Sequence, residues 1–207
     1  MIQVKSMEIV LLQNIKKDYG QDKVVTEALR GVDLKLVKGD FSVMMGPSGS
    51  GKSTLLNIIG GLDRATSGKT IINGQDFDSL SNKALSIIRR NNIGFVFQNY
   101  NLIPVLTAYE NAEYVLMLQG VTPLQRREKV MNLFQEIGLD GLENRFPREL
   151  SGGQQQRVAI ARAVSSDPQL VLADEITANV DSETAQSLLE LMFSLNKNNN
   201  TTFLFST

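Results

Sequence analysis

The chain has 207 residues and a net charge of −1, with 42% hydrophobic and 21% charged residues, which suits one large globular domain or a domain with a subdomain. It contains no cysteine and no histidine. Disulfides, histidine metal ligands and a histidine general base are therefore excluded within it, and the near-neutral charge gives no pull toward nucleic acid, so no nucleic-acid partner is expected. No apolar run nears the ~20 residues of a membrane span, and the N-terminus, with Lys5 and Glu8 and no long apolar stretch, is not expected to be a signal peptide.

Glu8 to Tyr19 reads as a strand running into polar Lys16-Lys17-Asp18. Val32, Leu34 and Leu36 alternate with Asp33 and Lys35, the period of a half-buried strand. Early alternating strands predict an antiparallel sheet beside a more buried parallel one. After a turn at Val37-Lys38-Gly39-Asp40, the apolar run Phe41 to Met45 reads as a buried strand. It leads into Gly46-Pro47-Ser48-Gly49-Ser50-Gly51-Lys52-Ser53-Thr54, which fits the phosphate-binding pattern G-x-x-x-x-G-K-[ST], and a helix begins at Leu55. The glycines let backbone approach phosphate oxygens, and the helix start supplies N–H groups and a partial positive charge. Lys52 can reach the β- and γ-phosphates and Ser53 can place its hydroxyl on Mg²⁺. This stretch binds a nucleoside triphosphate; it does not say which class of enzyme uses it.

Further on, turns at Ser67-Gly68-Lys69 and Asn73-Gly74-Gln75 bracket a short strand, Thr70 to Ile72. Leu80 to Arg90 has helical spacing, and Ile93 to Phe97 is an apolar strand ending at Gln98. Helices are predicted over Thr107 to Gln119, Pro123 to Ile137 and Gly153 to Val164, with Pro123 in a permitted first turn. Leu170 to Ala173 is a buried strand, Ser182 to Leu195 a helix, Asn198-Asn199-Asn200 a turn and Thr201 to Phe205 a last strand. The expectation is an α/β fold: a P-loop core with a parallel sheet, an antiparallel β part and a mainly helical insert over roughly 98 to 160.

Asp174 and Glu175 follow Gln169-Leu170-Val171-Leu172-Ala173 in the manner of a Walker B strand. An acid at the end of a buried strand facing a P-loop can hold Mg²⁺ directly or through water, and Glu175 is a candidate general base for water attack on the γ-phosphate. Leu150-Ser151-Gly152-Gly153-Gln154-Gln155-Gln156-Arg157 is the most specific run in the chain. Ser151 and two glycines opening a helix make a second anion site. With this LSGGQ signature the chain resembles the ATP-binding-cassette (ABC) ATPases over nearly its whole length.

The resemblance implies an ATP-hydrolysing domain in which Ser151, Gly152, Gly153 and Gln154 grip the γ-phosphate of ATP held by another subunit's P-loop, in a head-to-tail homodimer or with a paired ABC subunit. Gln98 matches the Q-loop, which reaches Mg²⁺ and the attacking water and senses the membrane partner; a solvated loop residue is the plainer alternative. Ala178-Asn179-Val180-Asp181 resembles the D-loop that crosses the dimer interface, although Asp181 can also simply cap the next helix. Tyr19 stands where the family stacks an aromatic on adenine, against the alternative of an ordinary tyrosine at a strand end. Ile176 replaces the family's usual proline after the Walker B glutamate, and Val180 its usual leucine, so the loop after Glu175 is expected to differ in shape.

The runs Gly94 to Pro104, Leu106 to Asn111 and Leu150 to Ala163 resemble one branch of the family: the ATP-binding subunits of lipoprotein-release (LolD-like), macrolide-export and antimicrobial-peptide systems, and FtsE-like cell-division subunits. That resemblance implies a peripheral protein on the cytoplasmic side of the inner membrane, partnered by a permease with a large extracytoplasmic domain. The alternative is an FtsE-like regulatory ATPase that signals across the membrane without transport. The family continues past Ser206-Thr207 with a histidine that contacts the γ-phosphate. The sequence is therefore expected to be a C-terminally truncated single domain that binds ATP through Gly46 to Thr54 and hydrolyses it poorly.

Overall fold

The alternating positions near the N-terminus do pair with one another. In the computed structural model, which describes residues 7–20, 25–176 and 181–207, the strands are β1 (Glu8–Tyr19), β2 (Thr26–Val37), β3 (Phe41–Met44), β4 (Ser67–Ile72), β5 (Gln75–Asp76), β6 (Ile93–Val96), β7 (Leu170–Ala173) and β8 (Thr202–Ser206). One sheet has the order β2-β1-β4-β5 and antiparallel pairing, with Leu12 opposite Leu34 and Val10 opposite both Leu36 and Ile72. The second has the order β3-β8-β7-β6 and parallel pairing, with Val43 opposite Phe205, Phe205 opposite Ala173, and Ala173 opposite Val96.

The parallel sheet is covered on both sides, as such sheets are. Successive side chains of a strand point to opposite faces. Leu170 and Leu172 of β7 accordingly join a core with Ile9, Leu12, Leu55, Ile58 and Leu85, between this sheet and the antiparallel one. Val171 and Ala173 join a second core with Ala112, Phe134, Ile160 and Leu188 on the other face.

The helices are α1 (Lys52–Ile59), α2 (Asn82–Asn92), α3 (Ala108–Leu118), α4 (Pro123–Glu136), α5 (Gly152–Val164) and α6 (Ser182–Asn199). Between β6 and β7 the chain holds α3, α4, a short 3₁₀ turn at Pro147–Glu149 and α5, and α5 packs on both α3 and β6. Helix α3 starts on a reciprocal cap: the Glu110 N–H donates to Thr107 Oγ1 at 3.2 Å and the Thr107 N–H to Glu110 Oε2 at 2.7 Å.

Several boundaries differ from expectation by more than one residue. Strand β4 begins at Ser67, so Ser67-Gly68-Lys69, expected as a turn, lie in the strand, with Lys69 opposite Gln13 and Ser67 opposite Lys16 of β1. Helix α2 starts at Asn82 rather than Leu80, because Ser81 caps it by accepting the Ala84 N–H. Helix α6 runs four residues beyond Leu195, through two of the three asparagines predicted as a turn. Asn196 is buried and its amide donates to the carbonyls of Thr201 at 2.7 Å and Gly39 at 2.9 Å, which ties down the last turn until Asn200 ends it at φ +52°. Among the described residues no helix is long and apolar enough to cross a membrane.

Candidate nucleotide site

All four strands of the parallel sheet run the same way, so their C-terminal ends share one edge, where open α/β sheets bind ligands. Gly46–Thr54 follows β3, Gln98 follows β6, and Asp174-Glu175 follows β7. Three stretches far apart in the chain are gathered there by strand register alone.

Lys52 is the first residue of α1, and Gly51 caps the helix in the left-handed region at φ +91° without any side-chain hydrogen bond. A Cβ on Gly51 would stand 2.6 Å from the Ala28 carbonyl oxygen, so only glycine fits where the loop crosses β2. The N–H groups at the start of α1 thus have no side-chain cap, the arrangement that can receive an anion. The Lys52 ammonium donates to the carbonyls of Gly46 at 2.8 Å and Pro47 at 3.2 Å and lies 3.7 Å from Glu175 Oε1. It spans the space between the phosphate loop and the acidic corner. The loop itself is exposed from Pro47 to Ser50, with Ser53 exposed in the first turn of α1.

At the acidic corner the Asp174 N–H donates to the Val96 carbonyl at 2.9 Å. Its carboxylate accepts the Ser206 hydroxyl proton at Oδ1, 2.6 Å away. Ser206 Oγ in turn accepts the Glu175 N–H at 3.1 Å. Glu175 has φ +46°, unusual for a residue with a side chain. Ile176, in place of the family's proline, is buried in the core with Ala173 and Leu188. Gln98 is half-buried in the turn that follows β6.

Tyr19 ends β1 and is 43% exposed. Its hydroxyl donates to Asp63 Oδ2 at 2.7 Å. Asp63 also accepts the Lys17 ammonium at 2.8 Å and the Arg64 N–H at 2.7 Å. Burial first, then Asp63, pushes the Tyr19 phenol above its ordinary value. Lys17 sits 4.7 Å from the centre of the Tyr19 ring and covers one face.

The signature opens α5. The Gln154 N–H donates to Ser151 Oγ at 3.3 Å and the Ser151 N–H to Gln154 Oε1 at 2.9 Å, a closed capping box. With its oxygen accepting, the Ser151 hydroxyl keeps its proton to donate. Among the described residues, a Cβ on Gly152 would meet the Tyr100 hydroxyl and one on Gly153 the Thr184 methyl at 3.0 Å. The signature thus borders α6 and the loop after β6, while the P-loop borders β2. Asp181 does cap α6, accepting the Thr184 N–H at 2.9 Å and the Thr184 hydroxyl at 2.7 Å. Those two bonds hold its carboxyl below the usual range. Ala178, Asn179 and Val180 of the expected D-loop lie outside the described residues.

Sequence reasoning missed Ser206, Asp63 and Lys17. Ser206 offered one signal, a small polar residue closing an otherwise apolar buried strand. Asp63 and Lys17 offered none, being a lone loop acid and one of several strand lysines.

A groove of about 280 Å³ runs along β6, between Arg89 and Arg90 of α2, Phe97 and Asn101 of the loop after β6, and Arg162 of α5. The Arg162 guanidinium is fixed by the carbonyls of Asn101 at 2.6 Å and Tyr100 at 2.8 Å.

A phosphate-binding loop on a parallel sheet, an acidic corner two strands away on the same edge and a separate capped glycine helix define a P-loop ATPase of the cassette type. Residues 29–178 match the ABC transporter family model, and the chain belongs to that family. It is 48% identical over 202 residues to the lipoprotein-releasing system ATP-binding protein LolD 1 of Rhodopseudomonas palustris, covering 97% of this chain and 89% of that one. It is 46% identical over 193 residues to an uncharacterised ABC transporter ATP-binding protein of Thermotoga maritima, covering 93% and 81%. Among solved structures, the dimeric post-hydrolysis state of the ATP-binding cassette MJ0796 of Methanocaldococcus jannaschii, bound to ADP and Pi, superposes with a TM-score of 0.89 at 42% identity, over 96% of this chain and 88% of that one.

Proposed function

We propose that the chain is the ATP-binding and hydrolysing subunit of an ABC transporter, and that it closes as a head-to-tail dimer on two ATP to drive a membrane permease. The observation that carries the reading is the meeting of Lys52 and Glu175 at 3.7 Å across one sheet edge, with Ser151 capping a helix elsewhere. Residues 98–160 act as the helical subdomain of a single ATPase domain. Gly46, Pro47, Ser48, Gly49, Ser50, Gly51, Lys52, Ser53 and Thr54 hold the phosphates, and Tyr19 stacks on adenine through the face that Lys17 leaves open. Glu175 takes the proton of the attacking water. Ser151, Gly152, Gly153 and Gln154 close on the partner's γ-phosphate, and Asp181 lies along the dimer interface.

The oxygen donors of Ser53, Gln98 and Asp174 fit Mg²⁺, which is ordinarily held by one or two carboxylates together with substrate phosphates. Among the described residues no larger acidic or histidine cluster competes for a metal. When bound, the ion neutralises charge on the β- and γ-phosphates.

The permease partner, with an extracytoplasmic domain, holds the subunit on the cytoplasmic face of the inner membrane. The branch-like run Gly94 to Asn111 supports this, as does the MJ0796 dimer for the subunit pairing. The basic and apolar groove along β6 suits an amphipathic segment of that permease.

Glu175→Gln tests the reading. Shape is kept and the base is lost, so nucleotide affinity is expected to hold while single-turnover hydrolysis falls roughly 10²–10⁴-fold. An ATP-held dimer should accumulate in sedimentation. Hydrolysis at the parent rate would remove Glu175 from the chemistry.

A further inference from the structure

Ser206 lies outside the P-loop, the acidic corner and the signature, yet it touches both acids. It closes β8 with 1% exposure, after the buried Phe203, Leu204 and Phe205. The register places Ser206 opposite Met44, the last residue of the strand that enters the P-loop, and Phe205 opposite Ala173, the last residue before Asp174. The Thr207 N–H donates to the Met44 carbonyl at 3.0 Å and pins this end of the strand. One serine is thus wedged between the strand ends that carry the two halves of the site.

A buried hydroxyl is unfavourable unless it is hydrogen-bonded, and this one is used twice. Its only proton goes to Asp174 Oδ1 at 2.6 Å, the length of a charge-assisted bond to a carboxylate. Its oxygen receives the Glu175 N–H at 3.1 Å. The first bond fixes the Asp174 carboxylate by one oxygen and leaves Oδ2 as the oxygen for a cation. The second holds the backbone of Glu175 at φ +46°, a conformation that persists only where surrounding structure enforces it.

We propose that Ser206 is a positioning residue: its hydroxyl orients the metal-binding carboxylate of Asp174 and, through the N–H of Glu175, the backbone of the neighbouring acid. This rests on the reading of Asp174 as a Mg²⁺ ligand. Groups that orient a metal ligand typically contribute 10–100-fold to metal affinity. The Mg²⁺-dependent part of nucleotide binding therefore depends on Ser206, and the metal-free part does not.

The experiment titrates a non-hydrolysable ATP analogue into the full chain by calorimetry, once with Mg²⁺ and once with EDTA. Ser206→Ala, Ser206→Thr and Asp174→Asn are compared with the parent, and each variant's thermal melt is recorded. Ser206→Ala is expected to match the parent in EDTA and to bind roughly 10–100-fold more weakly with Mg²⁺, with Ser206→Thr restoring parent behaviour. If Ser206→Ala loses its cooperative melt, Ser206→Cys takes its place, close in volume and a poor donor, with the same loss expected. Equal weakening in Mg²⁺ and EDTA would show a role in folding alone and overturn the proposal. Parent-like Mg²⁺ binding by Ser206→Ala, with the Mg²⁺ effect lost in Asp174→Asn, overturns the role of Ser206 and leaves Asp174 as a ligand. If both variants keep the Mg²⁺ effect, the assignment of Asp174 fails and the proposal with it.

Discussion

Asp63 accepts three donors, from Lys17, Tyr19 and the Arg64 backbone. Burial pushes its carboxyl up, but the bonds from Lys17, Tyr19 and Arg64 outweigh burial and hold it below its ordinary value. Through it the Tyr19 ring is fixed at its rim, and Lys17 covers one face. Tyr19→Ala should weaken nucleotide binding by about 1–3 kcal/mol, the worth of a base–aromatic stack, and Asp63→Ala by a smaller amount, since the ring remains but is no longer held. Equal affinities in calorimetry for Tyr19→Ala and the parent would remove Tyr19 from the adenine site. The same carboxyl makes a pH prediction. A group whose folded value is depressed contributes stability above its unfolded value of about 3.9, and that contribution is lost as pH falls through the folded value. The stability gap between the parent and Asp63→Asn, from urea unfolding, should hold steady near neutrality and close below about pH 4. The P-loop was legible because its chemistry is contiguous in nine residues. The Asp63–Tyr19 and Ser206–Asp174 bonds join residues 44 and 32 positions apart, and nothing local marks such partners.

The starts of α3 and α5 were legible to within a residue for the same local reason, whereas that of α2 was not. Thr107 with Glu110, and Ser151 with Gln154, place a hydroxyl three residues before a side chain that reaches back. Helix α6 was not legible at its far end, because asparagines favour turns and the tie that overrides them, Asn196 to Gly39, spans 157 positions. The signature helix carries a prediction that separates stability from function. Ser151→Ala removes the cap and should lower stability by about 0.5–2 kcal/mol. Ser151→Asp keeps a cap of equal rank but sets a carboxylate against the partner's γ-phosphate, where like charges oppose association. Urea melts should therefore show Ser151→Asp near the parent and Ser151→Ala below it, while the ATP-held dimer is lost in Ser151→Asp. A Ser151→Asp protein that still dimerises on ATP would mean the signature does not face phosphate.

The whole molecule divides the proposed chemistry between two places. The parallel sheet gathers the P-loop, Gln98, Asp174 and Glu175 at one edge, and the signature sits at the start of α5 beside Tyr100 and Thr184. If the signature of one subunit completes the P-loop of the other, two different broken subunits can repair each other. Lys52→Ala alone spoils both sites of its homodimer through the P-loop, and Ser151→Asp alone spoils both through the signature. A heterodimer of the two has one site with both defects and one site with neither. Random mixing of equal amounts should then restore roughly a quarter of the intact sites, because a two-fold symmetric pair places each defect at opposite ends of its interface. If the signature served its own subunit's nucleotide instead, every site in the mixture would stay broken. Nucleotide trapped by each preparation after rapid gel filtration measures the difference. Recovery in the mixture above either variant alone supports the head-to-tail dimer. No recovery, with both variants folded and the parent trapping nucleotide, would place the signature in cis and undo the proposed closure.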